Sequence, residues 1–90
     1  MATKERSIED RVRDIIVEAL IVDELDVTKH SNLREDLGAD SLDLVEIGLQ
    51  IEEAFHFEVD DADGDAMVTF EDVVALVEKR LKEMKKTEVQ

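Results

Sequence analysis

Few side chains here are placed to do chemistry. The most promising is Ser41, in the run Leu37-Gly38-Ala39-Asp40-Ser41-Leu42-Asp43. Asp40 is a good helix N-cap, because its carboxylate can accept the orphan backbone N–H groups of a first turn. Ser41 then falls in that turn with its hydroxyl at the helix mouth, and Gly38 gives the preceding loop a position free of Cβ restriction. The positive end of a helix favours an anionic group at such a hydroxyl. Capping alone also produces Asp-Ser-Leu triplets, so the rest of the chain has to decide. A serine nucleophile needs a base within hydrogen-bond reach. The only histidines are His30, in a polar loop, and His56, at the far end of the helix that Ser41 opens. A helix rises 1.5 Å per residue, which puts His56 roughly 20 Å away. There is no Gly-rich phosphate loop and no metal-type His pair. The absence of cysteine excludes disulfides, thiolate metal sites and a Cys nucleophile. A self-contained enzyme is not expected.

A second pattern competes. Asp61-Ala62-Asp63-Gly64-Asp65-Ala66-Met67-Val68-Thr69-Phe70-Glu71-Asp72 resembles a twelve-residue EF-hand loop, with acids at positions one, three and five. Position six needs Gly for the sharp turn and holds Ala66. Position twelve needs a bidentate Glu and holds the shorter Asp72. A calcium-binding helical domain using Asp61–Asp72 is the alternative function. No true metal site is expected, though Asp61, Asp63 and Asp65 could bind divalent cations weakly.

The elements that must position these residues read as helices. Ser7 is an N-cap followed by Glu9 and Asp10, and Ile8, Val12, Ile15, Ile16, Ala19 and Leu20 repeat at helical spacing. The pattern predicts a helix over about 7–22, with Glu9, Asp10, Arg13, Asp14 and Glu18 outward. From Asp23 to Ala39 the periodicity stops. This is a long loop whose apolar residues Leu25, Val27, Leu33 and Leu37 are expected to anchor in the core, with a short turn near 33–36. A second helix is predicted over about 41–57. Leu44, Ile47, Ile51 and Phe55 form one face, with Leu42, Val45 and Leu49 to its side. Gly48 in mid-helix costs roughly 1 kcal/mol relative to Ala, and implies either close helix packing or space left for a ligand. Residues 60–67 read as a short irregular segment holding at most one helical turn. Thr69 caps a last helix over about 70–84, with Phe70, Val73, Val74, Val77, Leu81 and Met84 as its buried stripe and Thr69-x-x-Asp72 as a shortened capping box. Met1–Arg6 and the last four residues are expected to be frayed. No strand pattern occurs. The predicted fold is all-α: a single domain of three main helices plus a possible short fourth, with a long loop between the first two.

Composition narrows the partners. Ninety residues make one small domain that buries roughly 60–65% of its unfolded surface, too little for a deep catalytic pocket. The chain is 40% charged with a net charge of −14, so nucleic acid and anionic membranes are poor partners. Proteins with basic docking surfaces are the natural ones. From Glu35 to Asp72 there are 14 acids and no Lys or Arg, which concentrates the negative field around Ser41. The N-terminus lacks an apolar run long enough for a signal peptide or a membrane span. A cytoplasmic monomer is expected.

Taken together, residues 8–82 resemble an acyl carrier protein of the free-standing bacterial type. The segment Leu33-Arg34-Glu35-Asp36-Leu37-Gly38-Ala39-Asp40-Ser41-Leu42-Asp43 carries most of the likeness, followed by Val45-Glu46 and Ile51-Glu52-Glu53-x-Phe55. The resemblance implies a 4′-phosphopantetheine arm on Ser41, installed from coenzyme A by a phosphopantetheinyl transferase. It implies acyl groups held as thioesters on that arm and passed among ketoacyl synthases, reductases, dehydratases and acyltransferases. It implies a non-catalytic role, with the second helix as the recognition element through Asp40, Leu42, Glu46, Gly48, Leu49, Glu52 and Glu53. An acyl pocket among Val45, Ile47, Ile51, Phe55 and Val59 follows from the same likeness. The chain departs from the family pattern at Gly48, Gln50 and Ala54, in the missing proline of Val59-Asp60-Asp61, and in a longer, more basic last helix. Primary fatty acid synthesis and a specialised role with polyketide, lipopolysaccharide or modified-lipid acyl groups both remain open.

Overall fold

The structure is a computed structural model that describes residues 7–88, with side chains through Met84. The expectations for residues 1–6, 89 and 90 lie outside it. Ser7 starts the first helix by accepting the Asp10 N–H on its hydroxyl oxygen at 3.1 Å. That helix, α1, spans Ile8–Leu20. It ends before residue 22 because Ile21 turns left-handed, with φ 54° and ψ 55°, a conformation that β-branched residues rarely adopt. Ile21 is 89% exposed. Arg13, expected to face outward, instead lies along the core edge. Its Nε donates to the Val27 carbonyl at 3.2 Å, and its guanidinium sits 4.8 Å from the Phe70 ring centre. Glu9 pairs with it from the solvent side at 3.2 Å.

The long loop is pinned, though not at every anchor the sequence suggests. Asp23 accepts the Leu25 N–H and opens a 3₁₀ turn at Glu24–Asp26. That turn rotates Leu25 outward, leaving it 80% exposed. Val27, Leu33 and Ala39 are the buried anchors, and Leu37 is half-buried. Ser31 is buried and satisfied, donating to the Asp26 carbonyl and accepting the Thr28 N–H, each at 2.9 Å. The loop is stitched to the start of the last helix through Leu33 N–H to the Val68 carbonyl and Phe70 N–H to the Ser31 carbonyl, each at 2.9 Å. Asn32 and Thr69 form an isolated antiparallel bridge, and no strand occurs among the described residues.

Helix α2 spans Ser41–Phe55. It stops short of residue 57 because His56 turns left-handed at φ 63° and donates its N–H to the Glu52 carbonyl at 2.8 Å. The possible short fourth helix forms within the segment 60–67, expected to be largely irregular: it is α3, Asp61–Ala66. A reciprocal capping box explains it. Asp60 accepts the Asp63 N–H at 2.9 Å, and Asp63 accepts the Asp60 N–H at 3.2 Å. Helix α4 runs Phe70–Glu88, past the expected end at 84. Thr69 and Asp72 bond reciprocally at its start, at 3.0 and 3.2 Å.

The core lies where α1, α2 and α4 meet. Val12, Ile16, Ile47, Ile51, Val73 and Val77 are fully buried there, with Phe55 and Phe70 nearly so. Each such side chain contributes roughly 1.5–3 kcal/mol by burial. Arg11 ties α1 to α2 by donating to the Ala54 carbonyl at 3.0 Å and covering the Phe55 ring at 4.3 Å. Met84, expected on the buried stripe of α4, is 38% exposed.

Candidate functional site

Ser41 is the first residue of α2, and its hydroxyl is not spent on starting the helix. Asp40 accepts the Asp43 N–H at 2.9 Å, while Asp43 accepts the Asp40 N–H at 3.1 Å. Those two acids do the capping, so Ser41 Oγ stays exposed at the helix mouth. Gly38, at φ +79°, makes the approach to this turn possible. Nothing lies within 4 Å of a Cβ added there, so the position needs glycine for its backbone and not for space. Ala39 then buries its methyl and donates its N–H to the Leu33 carbonyl at 2.8 Å, fixing the height of Ser41 above the core.

One side chain reaches the hydroxyl. Arg34 Nη2 donates to Ser41 Oγ at 3.4 Å. Sequence reasoning gave Arg34 no role. The available signal was its position: the last basic residue before the acid-only stretch, seven residues ahead of the serine.

Beside Ser41 opens a cavity of about 500 Å³ between α2 and α3, within the usual range for small-molecule sites. Leu44, Val45, Gly48 and Leu49 form its α2 wall, and Val59, Gly64 and Met67 its far wall. Gly48 puts no side chain into that wall. A Cβ there would meet Val59 Cγ1 at 3.6 Å, an ordinary contact, so close helix packing does not demand glycine. Of the five residues expected to shelter an acyl chain, Val45 and Val59 line this cavity. Ile47, Ile51 and Phe55 do not; they belong to the closed core. Residues 47, 51 and 55 share one stripe of α2, and the cavity lies on the neighbouring stripe, through 44, 45, 48 and 52.

The expected recognition residues separate into two groups. Leu42 and Leu49 are 78% and 56% exposed, and Val45, expected instead in the acyl pocket, is 59% exposed beside them. With Glu46, Gln50 and Glu53 they line a shallow apolar groove edged by acids. Glu52 behaves differently. It is half-buried, and its carboxylate accepts the Val59 N–H at 2.7 Å, tying α2 to the segment before α3. Gly48 is buried. Asp40 is exposed but committed to its cap.

The stretch that resembles an EF-hand does not fold as such a loop. Residues 61–66 are helical, and Asp63 turns to Arg80, which ion-pairs with it and also donates to the Glu58 carbonyl at 2.8 Å. Burial works against the charge on Asp63. The Asp60 N–H and the Arg80 guanidinium outweigh it and hold that carboxyl below the usual carboxylate range. No group of three His, Cys, Asp or Glu side chains is arranged to hold a metal among the described residues. His56 caps the opposite end of α2 from Ser41, and His30 is exposed beside Glu71 at 3.8 Å. Neither hydrogen-bonds to Ser41, whose hydroxyl meets Arg34 instead. No helix among the described residues is long and apolar enough to cross a membrane.

Comparison with known proteins fits this arrangement. The phosphopantetheine attachment site family matches residues 10–77. The acyl carrier protein of Thermotoga maritima is 47% identical over 81 residues, covering 90% of this chain and 99% of its own length. The chain belongs to the acyl carrier protein family. Two further relatives of that family are the acyl carrier proteins of Campylobacter concisus, 47% identical over 76% of this chain and 88% of its own, and of Chlamydia caviae, 45% identical over 82% and 96%. The prosthetic group of this family is 4′-phosphopantetheine, and the residues present suit it: an exposed hydroxyl at a helix N-terminus, a guanidinium beside it and an open cavity alongside.

Proposed function

We propose that Ser41 is the attachment point of the 4′-phosphopantetheine arm and that the chain acts as a non-catalytic carrier of acyl groups. The observation that carries this reading is the division of labour at the mouth of α2. Asp40 and Asp43 cap the helix, which leaves Ser41 Oγ exposed and available. When a separate transferase moves the arm, that oxygen gives up its proton and bonds to the phosphopantetheine phosphorus of coenzyme A, whose pyrophosphate P–O bond breaks to release adenosine 3′,5′-bisphosphate. Once in place, the arm supplies a thiol that holds acyl groups as thioesters. The protein's own contribution is a tether and an address, which raise the effective concentration of the cargo at each partner.

The address is the outward side of α2. Leu42, Val45 and Leu49 offer apolar area, Glu46 and Glu53 frame it with negative charge, and Asp40 adds its own at the helix start. A phosphopantetheinyl transferase, ketoacyl synthases, reductases, dehydratases and acyltransferases with basic docking surfaces are the partners this face suits. Charge steers their encounter and the apolar centre gives it hold. Glu52 and Gly48 act one step back, shaping the link and the cavity behind that face. The cavity between α2 and α3, with Val45 and Val59 in its walls, shelters the acyl chain between encounters. The carrier works as a monomer in the cytoplasm, on acyl groups of fatty acid or specialised lipid synthesis.

The test is acylation. After loading with coenzyme A and a broad-specificity transferase, the wild-type chain takes up an acyl group that hydroxylamine releases, as a thioester requires. Acyl uptake that persists in Ser41→Ala, or that needs no prior loading, would overturn the proposal.

A further inference from the structure

The cavity beside Ser41 is lined by a single basic residue. Arg34 is its only Lys or Arg, against the acids Glu52, Asp60, Asp61 and Asp65. The other described arginines are all engaged. Arg11 holds the Ala54 carbonyl and the Phe55 ring, Arg13 holds Glu9, Asp10 and the Val27 carbonyl, and Arg80 holds Asp63 and the Glu58 carbonyl. Arg34 has no carboxylate, carbonyl or ring partner among the described residues. The one hydrogen bond of its side chain among the described residues goes to the Ser41 hydroxyl, at 3.4 Å.

In a chain this acidic, an arginine that pairs with no acid among the described residues and rests instead on a hydroxyl is held ready for a different anion. A guanidinium carries five donors in a planar fork that matches phosphate oxygens, and one weak hydroxyl contact leaves most of them unused. A phosphate joined to Ser41 Oγ would stand within reach of that fork. The same phosphate adds a negative charge to a surround already dense in carboxylates. The N-terminus of α2 offsets part of that, at about half an elementary charge, and Arg34 is the full positive charge at hand.

We propose that Arg34 is the built-in counter-ion of the Ser41 phosphodiester, clamping its non-bridging oxygens and aiming the arm into the cavity between α2 and α3. This rests on Ser41 being the attachment point. Loading replaces the single long hydroxyl contact with charge-assisted bonds, so the loaded state holds the Arg34 side chain more tightly than the unloaded one. Because Arg34 and Ser41 line the same cavity, holding the phosphate there turns the root of the arm toward that cavity and away from Leu42.

The experiment is side-chain arginine NMR on ¹⁵N-labelled protein, unloaded and loaded, joined to ³¹P NMR of the loaded form. Intact mass is taken first on every sample. Loading should shift the Arg34 Nε–H resonance and slow its exchange with water about fivefold or more, the effect of one charge-assisted hydrogen bond at a surface site. The Arg11 and Arg13 signals should stay in place. Arg34→Gln should load to the same mass but show a shifted and narrower ³¹P line, as the phosphate gains freedom, and Arg34→Lys should restore part of the wild-type shift. Circular dichroism confirms that the variants are folded. A fully loaded wild type with an unmoved Arg34 signal, or a ³¹P line unchanged in Arg34→Gln, would overturn the clamp alone. Failure of the wild type to gain the arm would instead overturn the role of Ser41.

Discussion

Replacing Gly48 should stabilise the chain, and the size of the replacement should set how well the cavity holds an acyl group. Gly48 sits in the middle of α2, where glycine costs roughly 1 kcal/mol relative to alanine. A methyl there meets only Val59 Cγ1, at 3.6 Å, so nothing has to move. Burying it adds at most about 0.8 kcal/mol. Gly48→Ala should therefore gain about 1–2 kcal/mol, which for a domain of this size raises the unfolding midpoint by at least about 4 °C. Gly48→Leu places three more carbons in the cavity of about 500 Å³ beside Leu44, Val59 and Met67. Those carbons compete with cargo. In the wild type, each methylene of a bound acyl chain that leaves water contributes up to about 0.8 kcal/mol, so acylation raises the midpoint. Thermal melts followed by circular dichroism on loaded and octanoyl-loaded protein measure that increment. It should be present in the wild type, largely kept in Gly48→Ala and diminished in Gly48→Leu. A fall in stability of Gly48→Ala, or an octanoyl increment unchanged in Gly48→Leu, would refute this account of the cavity.

Other outcomes follow from single contacts. Ile21 pays about 1–2 kcal/mol for its left-handed backbone and buries almost nothing in return, so Ile21→Gly should raise the denaturation midpoint; a lowered midpoint would contradict the strain. The folded-state carboxyl of Asp63 titrates below its unfolded value, so the stability it supplies is complete above the usual carboxylate range and is lost as the pH falls through that range to the lower folded value. Urea melts between about pH 6 and about pH 3 should show the wild type losing its advantage over Asp63→Asn with acidification, and parallel curves would remove the Arg80–Asp63 argument. Arg80→Ala removes the ion pair with Asp63, the bond to the Glu58 carbonyl and the cover over Phe57. Amide exchange in Asp61–Ala66 should accelerate while α1 stays protected, and uniform acceleration would mean that Arg80 supports the whole fold. Glu46→Lys should slow turnover by partner enzymes, leave the melting curve intact and weaken the salt dependence of their rates; unchanged kinetics would exclude this face as the dock.

Much of this was legible in the chain, and the exceptions have physical causes. Caps announce themselves through residue type, so Ser7, Asp40 and Thr69 located the helix starts to within a residue. Helical periodicity found Val12, Ile16, Ile47, Ile51, Phe70, Val73 and Val77 in the core. Periodicity says nothing about backbone that departs from expectation. An isoleucine in the left-handed region ends α1, and no propensity scale would place it there. Leu25 looked like an anchor by hydrophobicity, but the Asp23 cap turns it to solvent. Segment 60–67 read as holding at most one helical turn because aspartates and a glycine disfavour helix interiors, yet Asp60 and Asp63 cap each other and Arg80 holds the product. At the site, the setting of Ser41 could be read because it depends on local capping. The side of α2 that opens onto a cavity depends on where α3 docks, so periodicity alone could not separate the core stripe of Ile47, Ile51 and Phe55 from the cavity stripe through Leu44, Val45 and Gly48. Arg34 was missed because its meaning lies in the partners it lacks.

Loading of Ser41 is the most direct measurement available. The purified chain, coenzyme A and a broad-specificity phosphopantetheinyl transferase are incubated and weighed intact. The wild type should gain the mass of one arm, fragmentation should place it on Ser41, and Ser41→Ala should gain nothing while melting as the wild type does. No mass gain under conditions that load a control carrier, or a gain that survives in Ser41→Ala, would contradict the account.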